Sequence, residues 1–138
     1  MLQRVDGAQV EVDGEVIGSV EGEGVLALVG VTHDDGPAQA ATIARKICEL
    51  RILDGERSVV DSGAQVLVVS QFTLYGDARK GRRPSWSAAA PGPVAEPLVE
   101  AVVEAIRERG VTASTGRFGA MMRVGLVNDG PFTILVEA

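Results

Sequence analysis

The 138-residue chain has one cysteine, Cys48, and one histidine, His33. A single thiol excludes an intrachain disulfide framework, and one thiol with one imidazole cannot supply the usual ligand sets of a zinc site, so no structural zinc is expected and no metal-ligating residue is assigned. No apolar run is long enough to cross a bilayer, and the first residues, MLQRVDGAQV, lack the basic-then-apolar pattern of a secretory leader. A soluble, cytoplasmic chain with no membrane partner is the expectation. Neither GxSxG nor a phosphate-binding GxxxxGK[ST] pattern occurs. His33 lies in a polar turn without a Ser or Cys partner in a nucleophile turn, so it reads as an exposed loop residue. Cys48 has no basic neighbour or second thiol to activate it and reads as a packing residue.

Hydrophobic residues make up 46% of the chain and charged residues 23%, which excludes disorder, collagen-like repeats and coiled coil. The length suits one domain over residues 1–138. The net charge of -6 argues against a polyanionic partner until its distribution is considered. Residues 1–35 hold eight acids and one base, Arg4, whereas the remainder carries twelve bases and eleven acids. Arg79, Lys80, Arg82 and Arg83 fall within five positions, a density that suggests an anion-facing loop.

Residues 9–20 alternate around Asp13-Gly14, which predicts an antiparallel hairpin. The segments 25–32 (VLALVGVT) and 65–74 (QVLVVSQFTL) are almost continuously apolar and predict central strands buried on both faces. Ala40, Ile43, Ile47 and Leu50 mark one face of a helix over 37–51. Leu98, Val99, Val102, Val103 and Ile106 mark a second over 97–110. Between strand and second helix, residues 76–92 form a long loop of the kind that serves a site. Two short strands, 122–128 and 132–137, flank Asp129-Gly130-Pro131. The expected class is α+β: a mostly antiparallel, barrel-like sheet with two long helices. Because strands so apolar need cover on both faces, a symmetric homodimer is expected.

Two segments place polar groups where periodicity wants Val or Ile: Ser70-Gln71-Phe72-Thr73-Leu74 and Asn128-Asp129-Gly130-Pro131-Phe132-Thr133. From the residues alone, these can be strand-end groups that satisfy the backbone, or a site.

SQFTL at 70–74, GRRPSW at 81–86 and FGAMMRVGLVNDGPFT at 118–133 together resemble the D-aminoacyl-tRNA deacylases, and the similarity runs from QRV at 3–5 to the C-terminus. The resemblance implies hydrolysis of the ester between a D-amino acid and the terminal adenosine of tRNA, with no cofactor. It implies a homodimer with sites at the subunit interface. There a Gly-cis-Pro pair, here Gly130 and Pro131, turns its carbonyls toward the partner's pocket and rejects L-amino acids. Glycine escapes such rejection, so Gly-tRNA(Ala) is an implied second substrate. Carried over by motif, Ser70, Gln71, Phe72 and Thr73 fall in the catalytic pocket, with Thr73 as the candidate nucleophile or positioning hydroxyl. Asn128, Phe118 and Met121 join Gly130 and Pro131 in binding substrate, and Arg79, Lys80, Arg82 and Arg83 would meet RNA phosphates. The chain departs from the family pattern at Met121, at Phe132 and in a shortened segment over 54–61. The competing reading is a noncatalytic nucleic-acid-binding dimer that uses the same basic loop.

Overall fold

The computed structural model describes residues 1–138. Strand β1 (Leu2–Val12) turns at Asp13 and Gly14 into β2 (Glu15–Val29). Both turn residues have positive φ, 51° and 78°, as the Asp-Gly pair predicts. Helix α1 (Pro37–Glu49) and the single turn α2 (Val59–Ser62) precede β3 (Gln65–Ser70). Helix α3 (Gly92–Glu108) leads to the short β4 (Ala113–Thr115) and the long β5 (Arg123–Ile134). The strand order is β4-β3-β2-β1-β5, an open sheet.

This sheet is mixed: antiparallel pairing predominates, as expected, but two parallel ladders join it. β1 pairs antiparallel with β2 and β5, but β2 with β3 and β3 with β4 run parallel. The reason is topological, because α1 and α3 are crossover connections that return the chain in the same direction.

Several boundaries also move. Of the predicted strand at 25–32 only residues 25–29 are strand, and they are the distal end of β2, since Glu21-Gly22-Glu23-Gly24 is no turn. One extra β2 residue bulges between the pairs Asp6↔Glu23 and Ala8↔Val20, with Gly7 and Gly22 at positive φ. The predicted strand 65–74 stops at Ser70, because its neighbour β2 ends at Val29 and β4 reaches only Val68. The two C-terminal strands are one, β5, whose pairing with β1 resumes at Thr133 and Ile134 after residues 129–132 loop out. α1 ends two residues early, at Glu49. α3 starts five residues before Pro97, because Pro93 takes the first-turn position expected of Pro97.

The two central strands are buried on both faces, as their composition predicts. Val25, Ala27, Val29, Val66 and Val68 face α1 and α3, where Ala44, Ile47, Cys48, Val102 and Ile106 complete the larger core. Burial pushes the Cys48 thiol pKa up, in keeping with a packing role. Leu26, Leu67 and Val69 face the other way, against Val5, Ala8, Val10 and Val20. The sheet therefore curls, and the β1–β2 hairpin covers its own second face. Each fully buried Leu or Val contributes about 2 kcal/mol of transfer free energy, so this cover is decisive. It also removes the argument by which these strands called for a second copy. The exposed apolar side chains lie elsewhere, among them Met121, Val127 and Leu135. No helix is long and apolar enough to cross a membrane.

The curl depends on Gly18, where a Cβ would stand 2.6 Å from the Thr115 carbonyl oxygen and 3.3 Å from Leu67 Cδ1. Gly18→Ala is expected to lower stability by about 1–3 kcal/mol, whereas Gly125→Ala, whose Cβ would meet only Gln9 Cγ at 3.8 Å, should stay within about 0.5 kcal/mol. Urea denaturation midpoints of the two variants check this, and equal midpoints would count against the curl.

Candidate functional site

At the end of β3 the chain leaves the sheet through Gln71 and enters a 3-10 turn over Phe72–Tyr75. The exit is pinned: Gln71 N–H donates to the Val29 carbonyl at 2.8 Å. Within the turn, hydrogen bonding begins with Leu74 N–H to the Gln71 carbonyl at 3.3 Å. The N–H groups of Phe72 and Thr73 consequently have no partner inside the turn. The Gln71 side-chain amide bonds the Thr73 hydroxyl. An amide is far too weak a base to take the hydroxyl proton, so this contact orients Thr73 without activating it.

A cleft of about 550 Å³ opens beside this turn. Ser70, Gln71, Phe72 and Thr73 form one wall, and the segment from Phe118 to Met122 forms another. The structure thus joins two sequence motifs that lie some 45 residues apart. Phe118 is half-buried, and Met121, at 93% exposure, stands on the rim. None of the fifteen lining residues is ionisable, and ten are hydrophobic. Ser70 also borders a neighbouring hollow of about 330 Å³ that contains Glu96, Glu100 and Glu104 of α3. Nowhere do three His, Cys, Asp or Glu side chains gather as metal ligands.

Asn128, Gly130 and Pro131 are not among the residues lining the cleft. They belong to the segment that loops out of β5, and the Gly130–Pro131 peptide bond is cis. A residue that the motif search missed holds this loop. Arg4 of β1 donates from Nε to the Asp129 carbonyl at 3.0 Å and from Nη2 to the Gly130 carbonyl at 3.1 Å. The same Nε lies 3.2 Å from the Asp129 carboxylate. Its guanidinium stacks over the Phe132 ring at 4.6 Å. Phe132, a departure from the family pattern, therefore has a contact of its own. Asn128 completes the clasp, donating from Nδ2 to the Arg4 carbonyl at 2.9 Å and the Phe132 carbonyl at 3.2 Å. The signal for Arg4 was present: it is the one base among eight acids in the first 35 residues. The shortened 54–61 segment is tied down separately, by Arg57 to Glu23 at 2.7 Å and by Asp54 N–H to Glu23 at 2.9 Å.

The loop after the turn is ordered by its own contacts. Asp77 and Ser85 exchange two backbone hydrogen bonds of 2.8 Å, which closes residues 77–85 into a small hairpin. Inside it Arg79 grips the Asp77 carboxylate with Nε and Nη2, at 2.9 and 2.7 Å. These hydrogen bonds hold the Asp77 carboxyl below its usual pKa range. Arg79 thus shapes the loop, while Lys80, Arg82 and Arg83 stand exposed with no carboxylate partner. The loop's far end is fastened by Thr32 Oγ1 to the Ala88 carbonyl and by the His33 ring to the Ser87 carbonyl, both at 2.7 Å.

A family model described as D-Tyr-tRNA(Tyr) deacylase matches residues 1–137. The chain is 67% identical over its whole length to a D-aminoacyl-tRNA deacylase of Beutenbergia cavernae, covering 98% of that protein. It is 64% identical, with the same coverage, to one of Kineococcus radiotolerans. Among solved structures it is similar to a c-Myc DNA Unwinding Element Binding Protein, with TM-score 0.90 and 36% identity over 99% of this chain and 96% of that one. A probable eukaryotic D-amino acid tRNA deacylase shares the fold, with TM-score 0.79 at 16% identity over 94% and 93% of the two chains.

Removing the Arg4 guanidinium leaves the 129–132 loop without its clasp. Arg4→Ala is expected to cost about 1–3 kcal/mol of stability and to quicken amide exchange over residues 128–134, leaving 65–76 unchanged. Arg4→Lys keeps the charge but not the fork or the stacking plane, so it should fall between. Hydrogen-exchange mass spectrometry checks both, and unaltered exchange in 128–134 would refute the clasp.

Proposed function

This chain belongs to the D-Tyr-tRNA(Tyr) deacylase family, and on that premise we propose that it hydrolyses D-aminoacyl-tRNA by placing substrate and water, without a reactive side chain. Its activity class, a D-aminoacyl-tRNA deacylase, is that of full-length relatives at 67% and 64% identity. The observation that carries the mechanism is the cleft itself, bounded by the family's two motifs and lined by no ionisable group.

In the reaction, water oxygen bonds to the acyl carbon and the bond from that carbon to the ribose oxygen breaks. The proton lost by water ends on the ribose oxygen. Aminoacyl esters are activated, so fixed geometry and a stabilised oxyanion supply most of the acceleration. The N–H groups of Phe72 and Thr73, unpaired within their turn, are the donors assigned to that oxyanion. Gln71 and Thr73 orient the turn through their mutual hydrogen bond, and Ser70 sets where it leaves the strand. Phe118 and Met121 contact the acyl or adenosine part. Lys80, Arg82 and Arg83 take phosphates, which makes affinity salt-sensitive. Arg79, bound to Asp77, acts on RNA mainly by holding the loop.

Handedness is assigned to a second copy of the chain. The support is positional: Asn128, Gly130 and Pro131 lie outside their own cleft and are exposed, and apolar Leu126 and Val127 are exposed beside them. In a homodimer, the loop of one protomer closes the cleft of the other, and its carbonyls refuse an L side chain at the chiral carbon. Glycine offers no side chain to refuse, so glycine on tRNA(Ala) is also a substrate in this reading.

A second reading has its own support. One similar structure is titled a DNA-binding protein, and the three free cations suit any nucleic acid. A noncatalytic binding dimer would bind uncharged RNA or DNA and release no amino acid from any ester.

Measured release of D-Tyr, L-Tyr and Gly from their tRNAs decides between these readings. The expected result is hydrolysis of the D and glycyl esters and sparing of the L ester; equal D and L rates defeat the chiral assignment. Thr73→Val should retain activity to within about tenfold, since a positioning group is lost and not a nucleophile. Mixed dimers test the shared site: a chain with Arg4→Ala combined with one carrying Gln71→Ala and Phe72→Ala places one intact turn opposite one intact loop, so the D-over-L preference lost in the Arg4→Ala homodimer should return. No recovery would place loop and cleft in the same protomer.

A further inference from the structure

Trp86 is the only tryptophan in the chain, and it is 44% exposed at the foot of the basic hairpin. Its ring meets Phe72, a wall of the cleft and itself 55% exposed, edge to face, with centroids 5.4 Å apart and planes at 74°. It also sits on the Gly76 backbone, where a Cβ would come within 2.6 Å of the indole. The indole is therefore fixed on one side by Phe72 and Gly76 and open on the other. A large aromatic group held this way is costly to leave in water and already ordered for stacking. Lys80, Arg82 and Arg83, on the same closed hairpin, supply cations for a backbone running past it. Cations interleaved with an exposed aromatic ring fit an unpaired strand, because every base has a face to stack and every nucleotide a phosphate.

We propose that Trp86 is the stacking platform for the base preceding the terminal adenosine of single-stranded RNA whose acyl end occupies the cleft. The inference rests on the aminoacyl-tRNA reading above and adds to it a contact outside the reacting adenosine.

The indole reports on its own occupancy through its emission. With an uncharged oligoribonucleotide ending in the tRNA acceptor sequence, emission should change saturably, and added salt should weaken binding. Trp86→Phe keeps a ring and should bind within about threefold of the native chain. Trp86→Ala should bind about 5- to 100-fold more weakly. In hydrolysis, Trp86→Ala should raise KM for D-aminoacyl-tRNA with kcat retained, while D-aminoacyl-adenosine, which lacks the preceding base, is cleaved as by the native protein. Equal loss on both substrates would mean that Trp86 only props Phe72, and overturns the proposal. So would emission that follows protein concentration and ignores RNA, since a second copy would then cover the ring. Saturable emission change with no hydrolysis of any D-ester keeps the stacking platform and defeats the hydrolase reading instead.

Discussion

The structure depends on the need to keep β2 and β3 dry on both faces. Val66 and Val68 point to the helices, Leu67 and Val69 to the opposite side, and none of the four is more than 1% exposed. Two helices can cover only one face. The other is covered by the β1–β2 hairpin, bent over it through bulges at Gly7 and Gly22 and admitted close to β4 by Gly18. Once both faces are closed, β3 can extend only as far as its parallel neighbour, so it ends at Ser70 opposite Val29. The polar run Ser70 to Thr73 is thereby delivered to the rim of the sheet, beside a cleft. It resolves a puzzle of composition: these polar groups are costly inside a strand, and the strand stops before most of them.

On the proposed reading, the site relies on main-chain groups: two N–H groups at the head of the turn act beside cleft walls that are apolar or neutral. Titratable side chains are kept to the periphery: Glu96, Glu100 and Glu104 in the adjoining hollow, Lys80, Arg82 and Arg83 on the hairpin. The loop that contains Gly130 and Pro131 follows the same logic, because its shape is imposed by donors from Arg4 and Asn128 onto carbonyl oxygens. Both parts of the proposed site are thus backbone surfaces steered by a few side chains.

That distribution explains what the sequence made legible. Binary patterns identified the Asp13-Gly14 turn, both long helices and the two-faced burial of 25–29 and 65–70, since hydrophobic periodicity is local information. They did not show the sheet's two parallel ladders, because parallel pairing is a matter of connection and not of composition. They also misjudged what covers the second face, since a hairpin curling onto its own sheet depends on contacts such as Gly18 with Thr115, almost a hundred residues apart. The motifs singled out Ser70 to Thr73 and Phe118 to Met121, and these residues line one cleft. Arg4 fell within the QRV segment at 3–5 but received no role, because its hydrogen-bond acceptors are backbone atoms 125 and 126 residues away. Arg79, assigned to phosphate with its three neighbours, is also held by a carboxylate two residues back, which the motif does not reveal.

The uneven charge then has a physical use on the proposed reading. Glu11, Asp13, Glu15, Glu21 and Glu23 belong to the β1–β2 hairpin, whereas three exposed cations without a carboxylate partner, Lys80, Arg82 and Arg83, cluster on the loop at 77–85. A polyanion approaching such a surface is repelled by the first region and drawn to the second, so its encounter is oriented before any contact forms. Net charge alone would predict only repulsion. Because steering falls off over about 10 Å at moderate salt, the separate placement of the two charge sets matters more than their sum. An acidic protein can therefore recruit RNA from one direction, and the recruiting side is the one where Trp86 and Phe72 lead into the cleft.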